Sequence, residues 1–308
     1  MPIQGYNNPS AKLSCMPDYK SGTDILVVRR VATSGPITAP VSNEIYLQAG
    51  SASEASPFDP ALGIQNADIQ IGDPSNFGLG SLNSDNSINT VGTKADGTTA
   101  SIFKKANVSG ASLLNNNQRI AADINKYHVH IYFISPCSIA TGTAVDTAGI
   151  NKACLNTDDN GNPIPTLKRL ELTVVNGNRQ FKEVPLVEGI DNLQLDYAID
   201  RDLDGAPDST SIYRNSDNTY LTAPGLTDWN NVMVVRVNIL SRNLERPNNE
   251  ATGAFCRSTN PPPQCSTVYY LGLHGNVGPF TDDVNGGYKR HVYTQSVLVV
   301  NPVKRRQQ

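Results

Sequence analysis

The sequence has no long apolar run, little charge and few aromatics. Stretches such as Ile25–Val28, Val232–Val235 and Val297–Val300 fall far below the ~20 residues that span a bilayer. Nothing in the chain therefore reads as a transmembrane helix. Charged residues are 17% of the 308 positions and the formal net charge is -3. No surplus of Lys or Arg is available to neutralise a phosphate backbone, which argues against nucleic acid as a partner. The basic triplet Lys304, Arg305 and Arg306 reads as a solvated tail. Met1-Pro2-Ile3-Gln4-Gly5-Tyr6 lacks the basic start and apolar core of a signal peptide. Either the protein is cytosolic or its export segment lies outside this sequence.

Catalytic hardware is also scarce. No G-x-S-x-G, P-loop, H-E-x-x-H or dinucleotide fingerprint occurs, so the common nucleophilic, phosphate and hydride chemistries lack their local motifs. The reading is of a protein that is not an enzyme. Cysteine is sparing too, at five residues with no C-x-x-C, and the neighbouring prolines suggest loops rather than metal knuckles. Disulfides are the simpler reading and favour an oxidising compartment. Cys256 and Cys265 close a short Pro-rich loop, and Cys137 with Cys154 closes a second across a Gly/Thr/Ala-rich connection. Cys15 is left over, free or bonded to another chain.

What is present is strand pattern. Apolar residues recur with period two and are rich in Val, Ile and Tyr. Thr23–Val31 and Glu44–Gln48 are compact candidates. Between 49 and 118 the composition turns to Ser, Asn, Gly, Asp and Thr, which predicts a long irregular excursion with short strands such as Ala67–Ile71. From Lys126, Tyr127, Val129, Ile131 and Phe133 alternate with His128, His130 and Tyr132. Leu170, Leu172 and Val174 oppose Arg169, Glu171 and Thr173, and Asn176-Gly177 then signals a hairpin. Leu193, Leu195, Tyr197 and Ile199 share one face, as do Met233, Val235, Val237 and Ile239 after Trp229. Val268–Leu273 and His291–Val300 supply the last strands. The fold class is mainly β, α+β at most: an antiparallel sheet system with long loop insertions, read as one domain over 1–308.

The sharpest local motif is Asp200-Arg201-Asp202-Leu203-Asp204-Gly205, with carboxylates at alternate positions before a Gly, as at the start of a calcium loop. Asp208 stands at the ninth position, but Ser211 replaces the bidentate Glu, so a full EF-hand is excluded. The expectation is a structural Ca²⁺ ion held by Asp200, Asp202, Asp204 and Asp208, against an acidic turn as the alternative. His128 and His130 lie two apart on a strand, yet have no acidic or thiol partner on that face, and read as polar-face residues rather than metal ligands. Glu183 with Glu188, and Asp158 with Asp159, are carboxylate pairs better read as solvated surface than as acid and base.

Several stretches together resemble the PilW family of type IV pilus assembly proteins, which are minor pilins. They are Gly5-Tyr6-Asn7-Asn8, Gly22-Thr23-Asp24-Ile25-Leu26-Val27-Val28-Arg29-Arg30 and Thr166-Leu167-Lys168-Arg169-Leu170-Glu171-Leu172. The most specific is Leu186-Val187-Glu188-Gly189-Ile190-Asp191-Asn192-Leu193-Gln194-Leu195-Asp196-Tyr197, followed by the acidic loop and Trp229-Asn230-Asn231-Val232. The resemblance implies a pilin-like head with other minor pilins and pilus assembly proteins as partners. It implies a place in the bacterial cell envelope, outside the cytoplasm, at the inner membrane, in the periplasm or at the pilus tip. It also implies a cleaved leader and an N-terminal apolar helix as the membrane link. Neither lies in this sequence, and we expect them in the upstream coding sequence. Two other functions fit the same pattern: a pseudopilin of a type II secretion system, and a secreted calcium-dependent enzyme or carbohydrate-binding module.

Overall fold

In a computed structural model of the chain the alternating segments are antiparallel strands, and the protein is mainly β. The structure describes residues 3–11, 13–37, 41–49, 67–71, 124–146, 149–200, 228–245, 265–272, 276–282 and 288–299. The chain divides into two compact units, one of Met1–Val28, His130–Glu171 and Lys182–Gln308, the other of Arg29–Val129 and Leu172–Phe181. A seven-stranded sheet has the order β1-β2-β5-β3-β4, with β6 on β5 and β7 on β6. These strands are β1 (Ile3–Tyr6), β2 (Ile25–Val31), β3 (Ile45–Ala49), β4 (Ala67–Ile71), β5 (Ile124–Ser135), β6 (Thr166–Val175) and β7 (Asn178–Glu188). Separate sheets are formed by β8 (Ile190–Ile199), β9 (Val232–Arg242) and β12 (Arg290–Leu298), and by β10 (Cys265–Tyr270) with β11 (Asn276–Asp282).

In the first unit the core sits on β8 and β9. Leu193, Leu195, Tyr197 and Ile199 share one parity and pack with Ile3, Ile134, Ile190, Trp229, Val232 and Val235. The Tyr197 and Trp229 rings meet edge to face, with centroids 5.0 Å apart, a geometry worth about 0.5–1.5 kcal/mol beyond the area it buries. Trp229 is held there by a short 3-10 turn, Asp228–Asn231, whose last carbonyl accepts the Asp200 backbone N–H at 2.9 Å. Every residue of β8 is buried, so its polar face, Asn192, Gln194 and Asp196, is covered as well.

The second unit has a smaller core of Tyr46 and Ile124 with Ile37 against it. There β3 pairs with β4 over Ile45↔Ile71 to Ala49↔Ala67, and with the start of β5 at Tyr46↔Lys126. The β6–β7 hairpin turns at Asn176 and Gly177, with φ of 52° and 76°. Two successive positive φ values are what a type I′ turn requires and what Asn-Gly supplies.

Two strands were not legible from periodicity. β1 is four residues long, and β11 contains Gly278-Pro279, a pair that ordinarily punctuates a strand. Apart from β4, the loop-rich span 49–118 lies almost wholly outside the described residues. Among the described residues no helix is long and apolar enough to cross a membrane.

Candidate functional site

The residues singled out for chemistry are distributed as follows. Asp200 is buried, 4% exposed, and closes β8 through its backbone. Asp202, Asp204 and Asp208 lie outside the described residues, as does Cys256, and the side chain of Cys265 is likewise not described. The structure brings Cys137 and Cys154 together as a disulfide with Cα atoms 5.8 Å apart. Cys15 is a free thiol, its pKa pushed up by burial. His130 packs its ring edge-on to Tyr132 at 6.2 Å. Among the described residues the one grouping of three potential metal ligands is Cys137, Cys154 and Asp158, and its two sulfurs are already consumed by the disulfide.

The carboxylates that a hydrolase reading would pair are each engaged separately. Glu183 accepts from the fully buried Lys168 ammonium at 2.7 Å. Glu188 accepts from the Ser138 hydroxyl at 2.6 Å. Asp159 takes the backbone N–H groups of Ser138, Ile139 and Ile164 at 2.8, 3.0 and 2.8 Å. Asp158 accepts from the Thr141 hydroxyl and from the Leu155 amide at 2.6 Å. The Thr141 hydroxyl and the Leu155 and Thr141 amides hold the Asp158 carboxyl below its usual range. These two aspartates knot the loop that the disulfide closes. Carboxylates that accept several N–H bonds are stabilised as anions and make poor general acids.

The stretches that carry the family resemblance converge in the first unit. Asp24, 1% exposed, accepts the backbone N–H of Asn8 at 2.9 Å and of Leu195 at 2.8 Å. Its own N–H donates to the Leu193 carbonyl at 2.8 Å. The Asn8 side chain in turn accepts from Gly22 at 2.8 Å. The Gly22 carbonyl accepts from both Asn192 and Gln194 side chains, at 3.0 and 2.9 Å. Gly22 has φ of +80°, a conformation that favours glycine. Gly5 lies so close to the ring end of Tyr197 that a Cβ there would overlap its hydroxyl.

A buried ionic cluster ties the start of β8 to β12. Asp191, 2% exposed, accepts from Lys20 at 3.1 Å and from Arg290 at 2.7 Å. Burial pushes its carboxyl up, but Lys20, Arg290 and Arg242 outweigh that and hold it below the usual range. On the polar face of β8, Asp196 accepts from Arg236 at 2.8 Å and Asn238 at 3.0 Å. Gly272 is packed against this pair, leaving no room for a side chain. Sequence reasoning missed these buried charges, although a signal existed: Asp191 shares parity with Leu193, and Lys168 with Leu170. A charged residue at an apolar parity needs a buried partner.

The arrangement holds strands together. Residues 154–301 match the family of type IV Pilus-assembly protein W, PilW. The match begins at the disulfide's second cysteine and runs past β12. That part of the chain, just under half of it, is similar to the family. No curated protein and no solved structure matches the chain.

Proposed function

We propose, from the match of residues 154–301 to the PilW family of type IV pilus-assembly proteins, that this chain acts as a minor pilin head. Its work is association with other minor pilins and assembly proteins in the bacterial cell envelope, not catalysis. The observation that carries the reading is the family match over 154–301, which spans the whole β8-β9-β12 sheet. Two features support it. Among the described residues the paired carboxylates Glu183, Glu188, Asp158 and Asp159 are engaged in structural bonds, and the disulfide suits an oxidising compartment. Calcium at Asp200, Asp202, Asp204 and Asp208 belongs to the same proposal, as a clamp on the turn that follows β8.

The test is cross-linking in intact cells of the native bacterium, followed by purification of the tagged chain from the envelope. Recovery of other pilus-assembly proteins with it is the expected result. A chain recovered from the cytoplasm, or from the envelope without any of them, overturns the reading.

A further inference from the structure

The Cys137–Cys154 disulfide stands against a buried carboxylate. A carboxylate oxygen of Asp158 and the two sulfurs all lie within 4.8 Å of one another. Cys137 and Asp158 are buried and Cys154 is half-buried. Zn–S bonds of ~2.3 Å at tetrahedral angles set two thiolates roughly 3.8 Å apart. Cα atoms 5.8 Å apart reach that separation when the opened side chains turn about their Cα–Cβ bonds. Two thiolates and a carboxylate are donors that a borderline-soft divalent cation takes. The third donor comes from Cys154-Leu155-Asn156-Thr157-Asp158, a spacing that a search for C-x-x-C passes over.

The surroundings suit a metal. The Asp158 Oδ2 accepts the N–H groups of Leu155 at 2.6 Å and Thr141 at 3.3 Å, while Oδ1 accepts only the Thr141 hydroxyl. The carboxylate is thereby oriented as an anion, and Oδ1 keeps a lone pair for a cation. The Ser135 hydroxyl lies 3.3 Å from the Cys154 sulfur. A disulfide sulfur carries no proton, so the hydroxyl is the donor, and the same contact would steady a thiolate ligand from outside. Two thiolates, one carboxylate and Zn²⁺ leave one negative charge in excess. The fully buried Lys168 ammonium lies within electrostatic reach of Asp158 and is bonded to Glu183 at 2.7 Å. Its sign favours that excess.

We propose that Cys137, Cys154 and Asp158 form a redox-gated zinc site, which binds Zn²⁺ when the disulfide is open and leaves the fourth position to water. The opening step balances: a dithiol gives two electrons and two protons to the S–S bond and leaves as its own disulfide. The two thiols then release their protons as Zn²⁺ binds. In the reverse direction a disulfide oxidant takes two electrons from the thiolates, the S–S bond forms and the ion departs. Before oxidation the metal keeps this pair from mispairing with Cys15, Cys256 or Cys265. The inference stands apart from the pilus reading, because it uses only the groups around this bond.

The test uses the full chain, reduced with a phosphine and handled without air, with the oxidised chain as control. Both are titrated with Co²⁺, a coloured stand-in, and then with Zn²⁺. The reduced chain should take up one tetrahedral, thiolate-ligated ion, with release of about two protons, and the oxidised chain none. Zn²⁺ should also return part of the Tm lost on reduction. The result should persist when Cys15, Cys256 and Cys265 are all replaced by Ser and vanish in Cys137→Ser. Asp158→Asn should weaken Zn²⁺ by at least about tenfold. Asp158→Cys should raise the thiolate absorption of the Co²⁺ form by about half, three thiolates against two, which a merely structural Asp158 does not give. Three results overturn the proposal: no uptake by the reduced chain at micromolar metal; equal uptake by the oxidised chain or by Cys137→Ser; or an ion that both Asp158 variants leave unchanged.

Discussion

Replacing the buried Asp24 by Ala should loosen the first unit. Its carboxylate is the shared acceptor for the Asn8 and Leu195 amides; Asn8 is exposed and its N–H can turn to water, whereas Ala leaves the buried Leu195 N–H without a side-chain acceptor. One stranded buried donor costs about 1–3 kcal/mol, so we expect a loss of roughly 1–3 kcal/mol and a Tm lower by roughly 2–10 °C. Asp24→Asn keeps one carbonyl acceptor and turns an NH₂ toward the other amide. It should fall between parent and Ala variant. The assay is urea unfolding followed through Trp229, the chain's single tryptophan, which sits in the affected core beside Tyr197. The midpoint should shift with an unchanged m-value. An Ala variant within about 0.5 kcal/mol of the parent would refute the claim that Asp24 pins the N-terminal segment to β8.

Gly5→Ala should cost about 1–3 kcal/mol by forcing the buried Tyr197 ring aside, read by the same fluorescence curve. Reducing Cys137–Cys154, whose cysteines are 17 residues apart, should remove about 3 kcal/mol on the loop-entropy account. Non-reducing peptide mapping should find that bond, a second between Cys256 and Cys265, and an alkylatable Cys15. Acid should unfold the chain early: Asp191, Asp158 and Glu44 titrate below their usual values. The stability they contribute is present above the unfolded carboxylate range near pH 4 and is lost as pH falls through their folded pKa values. Stability that stays flat from pH 5 to pH 2 contradicts this. Excess Ca²⁺ should raise Tm by mass action and Asp202→Asn with Asp204→Asn should cancel the gain; an unchanged parent Tm reduces the motif to an acidic turn.

How much was legible depended on the range of the interaction. The period-two pattern located β9; of the face expected there Val235 is buried and Val237 and Ile239 are partly buried, while Asn238 and Leu240 of the other parity are fully buried. It placed β8 with Leu193, Leu195 and Tyr197 in the core, because they alternate with Gln194 and Asp196 in a local code. Asn176-Gly177 gave the hairpin for the same reason. The Cys137–Cys154 pairing followed from loop spacing. What the pattern could not convey was the fate of the polar face. Asn192, Gln194 and Asp196 look like solvent-facing residues, and they are buried because the Gly22 carbonyl, Arg236 and Asn238 meet them. Asp24 and Leu195 are 171 residues apart, and nothing in either neighbourhood announces the other. The candidate site fared less evenly still, since Asp202, Asp204, Asp208 and Cys256 fall outside the described residues.

The most direct test of the account is piliation of the native bacterium after deletion of this gene. Surface pili counted by electron microscopy, and pilin recovered by shearing, should fall by at least tenfold and return on complementation with the intact gene. Complementation with the Asp24→Ala variant should restore fewer pili, in step with its stability. Normal piliation in the deletion strain would contradict a role in type IV pilus assembly.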